Sequence, residues 1–121
     1  MDEKDSLTAL RGAALAFRDE RDWRRFHTPK NLATGLSIEA AELQELFLWK
    51  TEDEARAFIA APEGKARASQ EIADVFVFLL YLAEECGIDL ADAVRAKIAL
   101  NGEKYPVEKS FGSAAKYTEF K

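Results

Sequence analysis

Apolar residues along this chain recur at steps of three and four, with no alternating strand pattern and no internal repeat, so helices are predicted throughout. Leu7, Leu10, Ala14 and Phe17 mark a first helix from about Ser6 to Asp22. The next stretch, Trp23 to Lys30, is aromatic and basic. It contains Thr28 followed by Pro29, the form of an N-cap with proline at the first helical position. A second helix is predicted from there to Trp49 or Lys50, with Leu32, Leu36, Ala40, Leu43 and Phe47 as its apolar stripe. Thr51-x-x-Glu54 is a capping-box pattern for a short helix ending near a Pro62-Glu63-Gly64 turn.

A third helix, from about Ala66 to Cys86, is apolar on nearly every side after Asp74. Such a helix is central or lies at a subunit interface. Gly87 supplies a stop, Ile88 and Asp89 a new start, and a fourth helix is predicted to about Lys104, before Tyr105 and Pro106. The expected fold is all-α: a four-helix bundle in one domain over residues 1–121, with its core at about 6–106 and an extended tail at 107–121. In so short a chain Phe76, Phe78 and Leu80 are hard to cover from within, so a homo-oligomer is expected.

Composition narrows the function. A net charge of -5 argues against a binder of nucleic-acid polymers, which present a basic face. Cys86 is the only cysteine, which rules out an internal disulfide and fits a reducing compartment. Met1 to Ser6 is acidic and lacks a signal-peptide pattern, and the longest apolar run, Val75 to Ala83, falls well short of the roughly 20 residues a transmembrane helix needs. A soluble, cytoplasmic protein without membrane association is expected.

Against this background two carboxylate pairs stand out, Glu39-x-x-Glu42 and Glu71-x-x-Asp74. Each lies inside an otherwise apolar helical stretch, and an i, i+3 pair shares one helix face. An isolated Glu-x-x-Glu is usually a solvated face. Here no Lys or Arg stands at i+3 or i+4 from Glu71 or Asp74, so a bound divalent cation is the simplest compensation for burying them. All-oxygen ligands favour Mg²⁺, with Mn²⁺ as a substitute. A di-iron bundle needs two Glu-x-x-His motifs, and the single histidine, His27, excludes that within one subunit.

Mg²⁺ held by carboxylates commonly completes its coordination with substrate phosphates, which points to phosphoanhydride hydrolysis with pyrophosphate as the leaving group. Lys97, Asn101, Lys104 and Tyr105 fall at helical steps near the end of the fourth helix and are candidates for holding phosphate. A solvated last turn whose lysines complement the helix dipole explains them equally well. For a nucleobase the aromatic candidates are Trp23, Phe26 and Trp49, with His27 as a polar edge, although ordinary packing accounts for all four.

The E-x-x-E, spacer, E-x-x-D arrangement resembles the all-α nucleotide pyrophosphohydrolase superfamily that includes MazG and the dimeric dUTPases. More specific is the resemblance to its dCTP pyrophosphatase branch. The matching segments are E-R-D-W-x-x-F-H-x-P-x-N-L at Glu20 to Leu32, E-L-x-E-L-F-x-W-K at Glu42 to Lys50, K-x-x-x-N-x-x-x-Y-P at Lys97 to Pro106 and K-Y-T-E at Lys116 to Glu119. They keep their order over nearly the whole chain.

The resemblance implies Mg²⁺-dependent hydrolysis of dCTP, and of modified deoxycytidine triphosphates, to monophosphate and pyrophosphate, cleansing the nucleotide pool. It implies Glu39, Glu42, Glu71 and Asp74 as metal ligands, and a nucleotide pocket lined by Trp23, Arg24, Arg25, Phe26, His27 and Trp49. Lys97, Asn101 and Tyr105 join the substrate side. Lys116 and Tyr117 close over it, and the assembly is a dimer or dimer of dimers. Two positions depart from the pattern. Phe78 stands where close relatives carry a substrate-contacting tyrosine, and Ala14 where animal members place a histidine. Lost polar contacts weaken base and sugar selectivity more than chemistry, so a broad (d)NTP pyrophosphohydrolase is the alternative. The general base is unassigned among the four carboxylates and Glu45.

Overall fold

Short side chains at the predicted helix starts do form the caps in the computed structural model, which describes residues 6–120. Helix α1 (Leu7–Glu20) begins where the Ala9 amide donates to Ser6 Oγ at 3.1 Å. Helix α2 (Pro29–Glu45) begins where the Asn31 amide donates to Thr28 Oγ1 at 3.1 Å, with Pro29 in the first turn. Thr51 and Glu54 make the reciprocal capping box of α3 (Glu52–Ala60), at 3.1 and 3.2 Å. Asp89 caps α5 (Leu90–Lys104) by accepting from the Asp92 amide at 3.0 Å. The acidic stretch read above for targeting, apart from Ser6, lies outside the described residues.

Three boundaries differ from the sequence reading, each for a local reason. Helix α2 stops at Glu45, because Leu46, Phe47 and Leu48 tighten into i to i−3 hydrogen bonds and Trp49 turns left-handed at φ 66°. Helix α4 (Pro62–Glu85) starts at Pro62 rather than about Ala66. Its proline occupies the first turn, where no amide donor is required, and Gly64 continues the helix instead of breaking it. The tail is not extended throughout. It contains a one-turn helix α6 (Val107–Ser110), whose Ser110 hydroxyl donates to the Pro106 carbonyl at 2.8 Å, and a 3₁₀ turn at Tyr117–Glu119. No strand occurs among the described residues, and none of the helices is long and apolar enough to cross a membrane.

The described residues form two compact units divided between Gly87 and Ile88. In the first, α4 packs chiefly on α2 and then on α3 and α1. Leu32, Leu46, Ala68, Leu80 and Tyr81 are its buried centre. Leu80 is covered within the chain, contrary to the expectation that it is hard to cover from within, and Phe78 is half-buried because α2 offers Gly35 opposite its ring. A Cβ at Gly35 would collide with that ring. Phe76 remains 38% exposed. The α2 stripe also differs in one place: Ala40 is exposed, and the half-buried face runs through Leu32, Leu36, Glu39 and Leu43 to Leu46. In the second unit, the Tyr105 ring meets Tyr117 and Phe120 edge-on, each at 5.7 Å between centroids, which holds the tail's turn against the end of α5.

Candidate metal centre

Glu39 occupies a position on the packing face of α2 that its neighbours fill with leucine. Glu71 likewise lies on the packing face of α4, three residues after the buried Ala68 and four before the half-buried Val75. Because α2 and α4 are the main packing partners, the two side chains converge. Glu42, one turn beyond Glu39, joins them from a more exposed place. One carboxylate oxygen from each of Glu39, Glu42 and Glu71 lies within 4.8 Å of the others.

Two further observations bear on what this cluster holds. Glu39 Oε2 and Glu71 Oε2 are buried without a hydrogen-bond partner. Burial pushes the Glu39 carboxyl up to about 7, reinforced by the negative neighbours Glu42, Asp74 and Glu71. Asp74 is exposed and stands outside the tight group of three, close enough to add its charge to Glu39. Buried, unpaired carboxylate oxygens that repel one another are costly without a cation, and an all-oxygen donor set fits a hard divalent one. The residues present therefore suit a divalent metal.

The candidates for the nucleotide fall in different places. Trp23 precedes a 3₁₀ turn at Arg24–Phe26 and meets Phe17 edge-on at 5.7 Å. Arg25 pairs with Asp22 at 3.4 Å and lies over the Phe26 ring, while Phe26 itself is 57% exposed. His27 is half-buried, with its ring 4.6 Å from that of Tyr81. Trp49 is 91% exposed at the rim of an open groove of about 540 Å³ between Ala41, Gln44, Phe47 and Leu48. Phe78 lies in packing contact with α2, with no polar group to offer. Lys97, Asn101 and Lys104 are exposed on α5 in the second unit, where Lys104 Nζ stands over the Tyr117 ring and Tyr105 is half-buried.

Arg18, Tyr81 and Glu85 were not among the candidates the sequence offered. Arg18 is a buried charge, 3% exposed, on the inner face of α1. Its Nε donates to Asp19 at 2.8 Å, and its Nη1 lies 3.5 Å from Glu85 of α4. The Tyr81 hydroxyl donates to the Ala14 carbonyl at 3.0 Å. A signal was present: Arg18 follows Ala14 by four on the apolar stripe, and a charge on that stripe needs a partner.

An all-helical fold that brings glutamates from two helices into one cluster defines a helical carboxylate-cluster protein. Comparison with known proteins makes this more specific. A profile of the MazG-like family matches residues 35–120. The chain is 41% identical to dCTP pyrophosphatase 1 of Mus musculus and 40% identical to that of Homo sapiens, in each case over 94% of this chain and 67% of the relative. Its fold is similar to that of a pyrophosphatase from Archaeoglobus fulgidus, with a TM-score of 0.77 and 40% identity, covering 83% of this chain and 92% of that one. The chain belongs to the MazG-like family.

Proposed function

We propose that this chain is a dCTP pyrophosphohydrolase that uses Mg²⁺, with Mn²⁺ as a substitute, and also accepts modified deoxycytidine triphosphates, so that it cleanses the nucleotide pool. That it is a nucleotide pyrophosphohydrolase follows from its family and its relatives. The observation that carries the metal part is the convergence of Glu39, Glu42 and Glu71, two of them with a buried, unpartnered oxygen. The preference for dCTP is supported by the relatives that bear that name.

Glu39, Glu42 and Glu71 would hold the metal, with Asp74 as a fourth ligand from the same face of α4. When bound, a divalent cation offsets phosphate charge and lowers the pKa of water at the site. The chain's own residues supply binding and orientation. Lys97, Asn101, Lys104 and Tyr105 would contact the phosphates, and Trp23, Arg24, Arg25, Phe26, His27 and Trp49 would surround base and sugar. Homo-oligomers, dimers or dimers of dimers, would be the working form in the cytoplasm, and residues 1–121 would act as one domain.

A second reading, a broad (d)NTP pyrophosphohydrolase, is favoured by Phe78. Its ring is engaged with α2 and carries no hydrogen-bonding group with which to select a sugar or base. Pyrophosphate release from each of the eight common NTPs and dNTPs, with Mg²⁺ and with chelator, separates the two. Release from dCTP alone, abolished by chelator, is expected. Comparable release from several nucleotides would establish the broad enzyme, and release insensitive to chelator would overturn the metal assignment. Glu42→Gln and Asp74→Asn are each expected to abolish turnover while leaving the fold intact.

A further inference from the structure

Five buried side-chain nitrogen or oxygen atoms lack a hydrogen-bond partner among the described residues. Two belong to the carboxylate cluster. The other three, Arg18 Nη1, His27 Nδ1 and Glu85 Oε1, belong to a second polar cluster in the same unit. Its centre is Glu85, a carboxylate in the last turn of α4, where the helix dipole disfavours negative charge and no basic residue of α4 offsets it. The compensation comes from outside the helix. Glu85 Oε1 lies 3.5 Å from Arg18 Nη1 of α1 and 3.7 Å from Arg24 Nε of the 3₁₀ turn.

One carboxylate therefore ties three elements together. Arg18 also holds the turn through its backbone, because its carbonyl accepts from the Trp23 amide at 3.1 Å. His27 then packs on Tyr81, one helical turn before Glu85, and Tyr81 is itself bonded to α1. The groups facing His27 are thus Arg18 from α1 and Tyr81 and Glu85 from α4. Burial first, and then the Arg18 charge, hold the His27 imidazole below its ordinary pKa, with Glu85 opposing.

We infer that Arg18 and Glu85 are positioning residues, which set where the Trp23–His27 segment and its histidine stand in the nucleotide site. The inference rests on the reading above that this segment receives the nucleotide. A charge pair this buried adds little stability over well-packed apolar groups of the same volume. What it supplies here is the link between α1, α4 and the 3₁₀ turn. Glu85 also lies fourteen residues beyond Glu71 on one helix, about 21 Å at a rise of about 1.5 Å per residue, so it acts on binding and not on the carboxylates.

The test uses Arg18→Met, Arg18→Lys and Glu85→Gln in the full chain. His27 is the sole histidine, so its imidazole resonances report the segment without ambiguity. With Arg18→Met and Glu85→Gln those resonances are expected to move. KM for dCTP rises roughly three- to tenfold while kcat stays within about twofold, the pattern of lost binding alone. Arg18→Lys, which keeps the charge, returns both readouts toward wild type. Unmoved resonances, an unchanged KM, or a kcat that falls with KM constant would overturn the inference. Glu85→Gln keeps the Arg18 to Asp19 bond and decides the matter if Arg18→Met does not fold. Failure of the wild type to hydrolyse dCTP would overturn the functional reading instead, and the His27 resonances of the variants would then decide the inference alone.

Discussion

At the scale of a residue, Glu39 concentrates the physics of the site. Its carboxyl is raised to about 7 by burial first and by Glu42, Asp74 and Glu71 after it, against an ordinary value of 4.5. In the metal-free protein the folded state therefore holds this proton more tightly than the unfolded chain does. Stability is reduced by Glu39 as pH rises from about 4.5 through about 7. Glu39→Gln, which imitates the protonated form, removes that loss. In chelator, the variant is expected to melt above the wild type at pH 7.5, with the gap closing toward pH 5. His27, held low, works in the opposite sense and loses stability as pH falls, so the difference between the two proteins isolates Glu39. Adding Mg²⁺ at pH 7.5 should then raise the melting temperature of the wild type and not of the variant. Equal gaps at both pH values, or equal responses to Mg²⁺, would remove Glu39 from the metal centre.

At the scale of the element, Gly64 decides how α3 and α4 meet. It is buried in the first turn of α4, and a Cβ there would overlap the Phe58 carbonyl oxygen of α3. Backbone cannot yield as a side chain can, so this overpacking costs about 3 kcal/mol. Alanine's better helix propensity returns about 1 kcal/mol, leaving Gly64→Ala about 2 kcal/mol less stable in denaturant titration. Gly12, inside α1 with nothing within 4 Å of its would-be Cβ, is the control: Gly12→Ala should stabilise by up to about 1 kcal/mol. A neutral Gly64→Ala would show that α3 does not seat closely on α4. The same helices show what a sequence reveals. Thr28, Thr51 and Asp89 were legible as caps because a cap is settled within four residues. The Pro62 start was not, since Pro-Glu-Gly reads equally as a turn, and only the fit of Gly64 against Phe58 selects the helix. Glu39 and Glu71 stood out because each lies inside an otherwise apolar helical stretch, although the stripe read for α2 ran through Ala40 and left Glu39 at its flank. Glu85 was not, because its partners Arg18 and Arg24 meet it only through tertiary packing of segments about sixty residues distant.

At the scale of the whole molecule, the first unit leaves apolar side chains in water beside its most polar feature. Ile38, next to Glu39, is 54% exposed, and Ile72, next to Glu71, is 56% exposed. Phe76 follows Ile72 by one turn on α4 and is 38% exposed. Fully burying each such side chain is worth roughly 1.5–3 kcal/mol, and in the homo-oligomer proposed above a second copy would supply the missing cover. Because this face adjoins the carboxylates, association and turnover are expected to fail together. Ile72→Glu with Phe76→Glu places two charges where an interface must be dry, so light scattering should report a smaller assembly and pyrophosphate release should fall with it. A wild type that is monomeric at micromolar concentration, or a double variant of unchanged mass and activity, would reject the interface. The second unit has its own exposed pair on α5, Val94 at 48% and Ile98 at 65%, at the same i, i+4 spacing. If the double variant falls from four chains to two rather than to one, α5 is the next face to test, and Val94→Glu with Ile98→Glu added to the first pair is then expected to yield the monomer.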